Sequence, residues 1–366
     1  MPVHPPGMKI ALVQDFLRVG GTERQTVALA RAFADAGHAV RVITFRPGGP
    51  LARDIPAGII HQALQRMDLR LDWFAPGLQR ALRGFAPDVV QLMGRMANCY
   101  GSAVHRALPQ SRVVATFRTG KRIPARYRAT LRSAAAVVVN SAEAAERIRR
   151  DHGVSGSRVH VIRNGLASRA TPGADARGRI RTALAASDET VVFLCTAMLR
   201  PGKGHRRLLQ AAAALPRELP WIVWIAGDGT ERRPCERLAT ELGLADRVRF
   251  LGLRRDTAEL YAAADVAVLA SDLESLPNFL VEAQWHGLPV AACDVAGVGE
   301  TFSPGESGIL VPQGDHAGLA RAMLGLAGDP PRRARMSEAA RAYARREFDP
   351  DRQNARYLEL FAALPE

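Results

Sequence analysis

Lys203 lies in Arg200-Pro201-Gly202-Lys203-Gly204-His205, where cations stand among glycines just ahead of a helical pattern. Compact positive charge at a helix amino end suits a diphosphate. Lysine occurs only at Lys9, Lys121 and Lys203 among the 50 basic residues, which points to a geometric need for an ammonium at 203. A solvated basic turn would read the same way. Glu274 and Glu282 stand with seven residues between them in Glu274-Ser275-Leu276-Pro277-Asn278-Phe279-Leu280-Val281-Glu282. The spacing alone is a weak signal; its context adds to it. Glu274 follows an apolar run, and Asn278 is placed to cap a helix carrying Glu282. The amides of Ser275 to Asn278 would then open toward a ligand, beside a carboxylate able to accept sugar hydroxyls. The plain alternative is a loop acid and an exposed helix acid.

Glycines add a third kind of signal. Gly20-Gly21-Thr22-Glu23 joins a short apolar run to a helical pattern, where the backbone can approach an anionic group. A tight strand-to-helix turn explains it equally well. It is not the dinucleotide fingerprint, because G-x-G-x-x-G is absent and Thr44-Phe45-Arg46 lacks the ribose-binding acid. A dehydrogenase is therefore disfavoured. Gly227, Gly229 and Gly252 fall at the ends of later apolar runs. Singly they are ordinary turns; together they place glycine at several carboxyl ends of one sheet, as a planar or phosphorylated ligand would require.

The elements that must position these residues follow from periodicity. Apolar runs at 9–14, 39–45, 59–64, 88–93, 112–117, 135–140 and 159–162 predict strands, and helical patterns separate most of them. Helices between strands mean crossovers and a parallel sheet. The stretch 166–178, rich in small residues with Pro and Gly, reads as a linker. The alternation restarts with runs at 190–197, 221–227, 247–251, 265–270, 289–292 and 308–311, and 332–364 is mostly helical. Two doubly wound α/β domains facing across a cleft are expected, with the ligand at the carboxyl ends of the strands.

Length and composition agree with two domains and limit the alternatives. At 366 residues with 47% hydrophobic and 23% charged content, the chain can build two cores and is neither disordered nor fibrous. No window approaches about 18 uncharged apolar residues, so no transmembrane helix is expected. The start is Pro-rich and lacks the apolar stretch of a signal peptide. The four cysteines are scattered without C-x-x-C, so a reducing cytoplasm is the simplest compartment. The net charge of +14 is uneven: residues 1–170 hold 26 basic and 10 acidic side chains, and 171–366 hold 24 and 26. A compositional bias would spread evenly, so the first half is expected to meet an anionic partner. Nothing resembles an RNA- or DNA-binding module, and nucleic acid is not expected.

Taken in order, the motifs resemble family 4 retaining glycosyltransferases of GT-B architecture. They are GGTE at 20–23, NS at 140–141, RNG at 163–165, LRPGKGH at 199–205, AGDG at 226–229, RFLG at 249–252, the spaced glutamates and GILVP at 308–312. The resemblance spans nearly the whole chain. It implies an acceptor-side domain over 1–168, a donor domain over 169–345 and a helical tail over 346–366 that packs back on the first domain. It further implies that Lys203, with Arg200, neutralises the leaving diphosphate. Glu282 would hold the ribose, and Glu274 with the 275–278 amides the donor sugar. Gly20, Gly21, Gly227, Gly229 and Gly252 would line the donor, and no metal or cofactor would be needed.

Two positions depart from the family. Met198 stands where an arginine is usual, and Arg118 where many members carry a histidine. Arginine does not act as a base near neutral pH, so Arg118 would bind a phosphate or a donor hydroxyl instead. The expected partners are a nucleotide sugar and a glycan, lipid-linked or phosphorylated acceptor. Arg118, Lys121, Arg122, Arg126, Arg128 and Arg132, together with Arg70 and Arg80 around Trp73-Phe74, suit the inner face of an anionic membrane. An Arg-rich solvated face over a core Trp-Phe pair fits the same residues. The competing class is a catalytically weakened GT-B protein that binds nucleotide sugar as a partner module.

Overall fold

The computed structural model describes residues 7–118, 122–165 and 171–365. Lys121 and the 166–170 part of the linker lie outside them. The chain divides into two compact units, one of Met1–Ser168 with Asp349–Glu366 and the other of Arg169–Phe348.

The first unit carries β1 (Lys9–Gln14), β2 (Ala39–Thr44), β3 (Ile60–Ala63), β4 (Val89–Leu92), β5 (Arg112–Phe117), β6 (Ala136–Val139) and β7 (Val159–Val161). They form one parallel sheet in the order β3-β2-β1-β4-β5-β6-β7. Its helices are α1 (Gly21–Asp35), α2 (Leu78–Phe85), α3 (Gly101–Ala107), α4 (Ala125–Ser133) and α5 (Ala142–His152). Central strands such as β4 and β6 are buried along their whole length, as parallel strands covered on both faces must be. Helix α1 buries Val27, Leu29, Ala30 and Phe33 on one face and ends before Gly37, whose φ of +87° suits glycine.

The second unit carries β8 (Val191–Thr196), β9 (Trp221–Ala226), β10 (Val248–Gly252), β11 (Val266–Leu269), β12 (Val290–Asp294) and β13 (Gly308–Pro312). Their order is β10-β9-β8-β11-β12-β13. Its helices are α6 (Ala176–Ala183), α7 (His205–Ala213), α8 (Arg232–Glu241), α9 (Thr257–Ala263), α10 (Asn278–Trp285), α11 (His316–Ala327) and α12 (Pro330–Glu347). Helix α6 thus begins inside the stretch read as linker. Arg181 on it is buried and bonds the carbonyls of Ser187 and Ala263 and the Asp265 carboxylate, sewing α6 to the ends of β8 and β11.

The last helix, α13 (Pro350–Ala363), returns to the first unit. Asp349 caps it, and Tyr357, Leu358, Leu360 and Phe361 are buried in the core beside Phe33 and the β1 strand. Arg112 at the foot of β5 donates to the carbonyls of Phe361 and Leu364. Both sheets reverse their winding direction once, between β1 and β4 and between β8 and β11. Ligands of open parallel sheets collect outside the strand ends at such switch points.

Candidate active site

Lys203 follows β8 and Glu274 follows β11, so the two stand on either side of the second switch point. Their side chains meet there: Lys203 Nζ donates to Glu274 Oε1 at 2.6 Å, with 17% and 9% of the side chains exposed. The turn that carries Lys203 is built on glycine. Gly204 has φ +70°, and a Cβ on it would run into the Ala270 carbonyl at the end of β11. The opposite loop is held as firmly. Asp272 N donates to Gly202 O at 2.9 Å, Arg207 donates to Ala270 O and Asp272 Oδ1 at 2.6 Å each, and a Cβ on Gly297 would strike the Ser275 carbonyl.

Glu282 lies on α10, a helix buried from Phe279 to Gln284. Tyr261 of α9 donates its hydroxyl to Glu282 Oε2 at 2.6 Å and stacks on Phe279 and His286. The carboxylate is thereby fixed in place. Asn278 does not cap this helix: it is the first helical residue, and Pro277 takes the cap position with φ −71°. Proline also has no N–H, so of the four residues expected to present amides only Ser275, Leu276 and Asn278 carry one. The side chains of Leu276 and Pro277 are buried.

The other expected donor residues divide. Gly227 and Gly229 take φ near +150°, and a Cβ on either would collide with the carbonyl of Ala197 or Leu199. Their glycine identity is required by that close backbone packing. Gly227 N donates to Gly252 O at 2.8 Å, which joins the ends of β9 and β10. Arg200 and Met198 are exposed. His205, the first residue of α7, is buried, and burial with Lys203 beside it brings its pKa down to about 4.

Gly20, Gly21 and Arg118 belong to the first unit. Gly20 precedes α1, and a Cβ there would strike the Glu23 carboxylate folded back over it. Arg118 follows β5 and donates Nη2 to the Tyr357 hydroxyl of α13, while its Nε and Nη1 are buried without a hydrogen-bond partner among the described residues. Sequence reasoning missed Asp15, which follows β1 at the first switch point. It accepts from Ala97 N at 2.6 Å and Met96 N at 3.0 Å after β4, and burial pushes its carboxyl up to about 6. Only the position of Asp15 after a strand could have marked it. Among the described residues no three His, Cys, Asp or Glu side chains gather as a metal site would need.

Two parallel sheets in one chain, each with one switch point, fit the GT-B architecture that the order of motifs resembles. Residues 19–168 match Glycosyltransferase Family 4, and residues 176–343 match Glycosyl transferases group 1. The chain is similar to the lipopolysaccharide core biosynthesis glycosyltransferase LpsE of Rhizobium meliloti (strain 1021), at 30% identity over 352 residues, 96% of this chain and 98% of that one. It belongs to glycosyltransferase family 4. Solved structures share the fold. Anabaena Alr3699/HepE in complex with UDP-glucose gives a TM-score of 0.82 at 23% identity, covering 98% of this chain and 100% of that one. WaaG, a glycosyltransferase involved in lipopolysaccharide biosynthesis, gives 0.78 at 20% identity, covering 97% and 100%.

Proposed function

We propose that this glycosyltransferase moves a hexose, with retention and without a metal ion, from a nucleotide sugar to a glycan, lipid-linked or phosphate-bearing acceptor of the cell envelope. The observation that carries the reading is the Lys203–Glu274 pair at the switch point of the second sheet. Held 2.6 Å apart, the ammonium and the carboxylate can separate their loads when the donor binds: Lys203 takes the diphosphate and Glu274 takes sugar hydroxyls. Lys203 and the amino end of α7 then supply the positive charge at which the leaving diphosphate develops. The buried carboxylate of Glu282 suits the ribose hydroxyls. The acceptor hydroxyl attacks the anomeric carbon on the face from which the diphosphate departs. The sugar–phosphate bond breaks, the new glycosidic bond forms, and the hydroxyl proton passes to a diphosphate oxygen.

In the first unit, Arg118 is read as an anion-binding group rather than a base, since guanidinium keeps its proton. The envelope setting rests on the LpsE and WaaG likenesses and on the cationic first half; work at the inner face of the membrane follows from it. The test is a thermal-shift series with UDP, GDP, ADP and CDP. One nucleoside diphosphate is expected to raise Tm clearly, and Lys203→Ala to weaken its binding about ten- to hundredfold, the worth of one charged hydrogen bond. Equal responses to all four would overturn the donor site. Exposed Met198, without charge where the family has an arginine, favours a binding-only module as the second reading; donor hydrolysis or transfer by the chain removes it.

A further inference from the structure

In the first unit, the large apolar side chains left exposed among the described residues are Val19 after β1, Ile60 on edge strand β3, and Met67, Leu69, Trp73 and Phe74 between β3 and α2. Met67 is 72% exposed, Trp73 56% and Leu69 49%. From 67 to 73 apolar and charged residues alternate, Met-Asp-Leu-Arg-Leu-Asp-Trp. A segment of this pattern normally turns its apolar side inward. Here Met67, Leu69 and Trp73 stay exposed while Leu71 is half-buried, and the two aspartates turn to arginines of the same unit. Asp68 accepts from Arg46 Nε and Nη2 at 2.7 and 2.8 Å. Asp72 accepts from Arg46 Nη1 at 2.8 Å and from Arg18 Nη2 at 2.7 and 2.6 Å. Both arginines lie over the Phe16 ring, 4.0 and 5.1 Å from its centre.

The backbone of this loop is fixed as well. Gln65 Nε2 donates to the carbonyls of Leu71 and Phe74 at 2.8 and 2.7 Å, and the Tyr100 hydroxyl donates to that of Trp73 at 2.5 Å. Arg70 takes a left-handed φ of +57°, with its N–H on Asp68 Oδ1 at 2.9 Å. Met67, Leu69 and Trp73 are therefore held outward by a built scaffold. Both acids of the loop are neutralised from within, whereas Arg66 and Arg70 are exposed without an ion pair among the described residues. The outer face combines apolar bulk with uncompensated positive charge, on the half of the chain that carries the excess of arginine.

We propose that residues 66–74 form a membrane-insertion wedge: Met67, Leu69 and Trp73 enter the boundary between headgroups and acyl chains of an anionic bilayer, and Arg66 and Arg70 meet lipid phosphates. The proposal rests on the reading of an envelope acceptor and names the surface that brings the enzyme to it. The Arg18–Asp72 bond links the wedge to the residue that precedes the Val19–Gly21 turn.

Trp73 is its own reporter, because Trp221 and Trp224 are buried and Trp285 is half-buried in the second unit. The full chain is mixed with vesicles of phosphatidylethanolamine and phosphatidylglycerol, and separately with phosphatidylcholine. The expected result is a blue shift of emission with the anionic vesicles, quenching by brominated acyl chains, and loss of both in Trp73→Phe. The double variant Met67→Gln/Leu69→Gln should lower partitioning about tenfold or more, while its nucleotide thermal shift stays unchanged. Arg66→Gln/Arg70→Gln should flatten the salt dependence. The proposal is overturned by absent vesicle binding, by sedimentation without a Trp73 shift, by unchanged partitioning of the double variant, or by a change in its oligomeric size without lipid. Insertion without any nucleotide response would sink the transferase site and leave the wedge standing.

Discussion

Glu282 gains its precision from a neighbour that no motif marks. Its candidacy came from the spacing and from the family resemblance, but Tyr261, which donates to it at 2.6 Å, comes from another helix. Only the packing of α9 near α10 brings the two together. Tyr261→Phe removes that bond and keeps the ring stack. We expect the affinity for the preferred nucleoside diphosphate to fall about tenfold by titration calorimetry, in line with the loss of one bond to a charged group. Unchanged affinity would make Tyr261 and Glu282 structural partners only. Asp15 was hidden for the same reason: its partners Met96 and Ala97 lie more than 80 residues away in the chain. Lys203 was legible because it is a rare residue type in a glycine turn, although its pairing with Glu274 depends on β11 lying beside β8.

Strands were the most legible elements, because parallel strands buried on both faces read as continuous apolar runs, and every run marked in the sequence became a strand. Their ends moved by a residue or so, where hydrogen bonding rather than apolarity decides. The start of α10 was misread because Asn278 looked like a better cap than Pro277, yet proline at a helix start loses only an N–H that would have no intrahelical partner. Helix α7 makes a prediction of its own. His205 is buried neutral at its first turn with a pKa of about 4, against about 6.5 in the unfolded chain. Its contribution is complete above pH about 6.5. It drains away as the pH falls toward about 4, because only the unfolded chain takes up the proton. Urea unfolding should show the second unit losing about 3 kcal/mol across that window, and His205→Leu should flatten the slope. An equal slope in the variant would place the acid sensitivity elsewhere.

Across the whole molecule, the excess of arginine separates into structural and available charge. Arg181, buried against carbonyls and Asp265, and Arg46, locked to Asp68 and Asp72, are spent inside their units. Arg66 and Arg70 are not. Trp73 and Phe74 are 56% and 37% exposed, so the expectation of a core Trp-Phe pair does not hold. Removing residues 349–366 would strip Tyr357, Leu358, Leu360 and Phe361 from the first core, where Phe33 meets two of their rings at 5.6 and 6.1 Å. At about 1.5–3 kcal/mol each, the loss is roughly 6–12 kcal/mol, comparable with the whole stability of a domain. Limited proteolysis should then cut the first unit rapidly and spare the second; a protected first unit would show that α13 is dispensable. The returning helix also sets the order of birth on the ribosome. About 180 residues separate the two parts of the first unit. At about 5–20 residues per second its sheet waits roughly 10–40 s for the helix that seals it. The later half can finish folding before the earlier one, and the nascent protein carries an open apolar seam until that helix emerges.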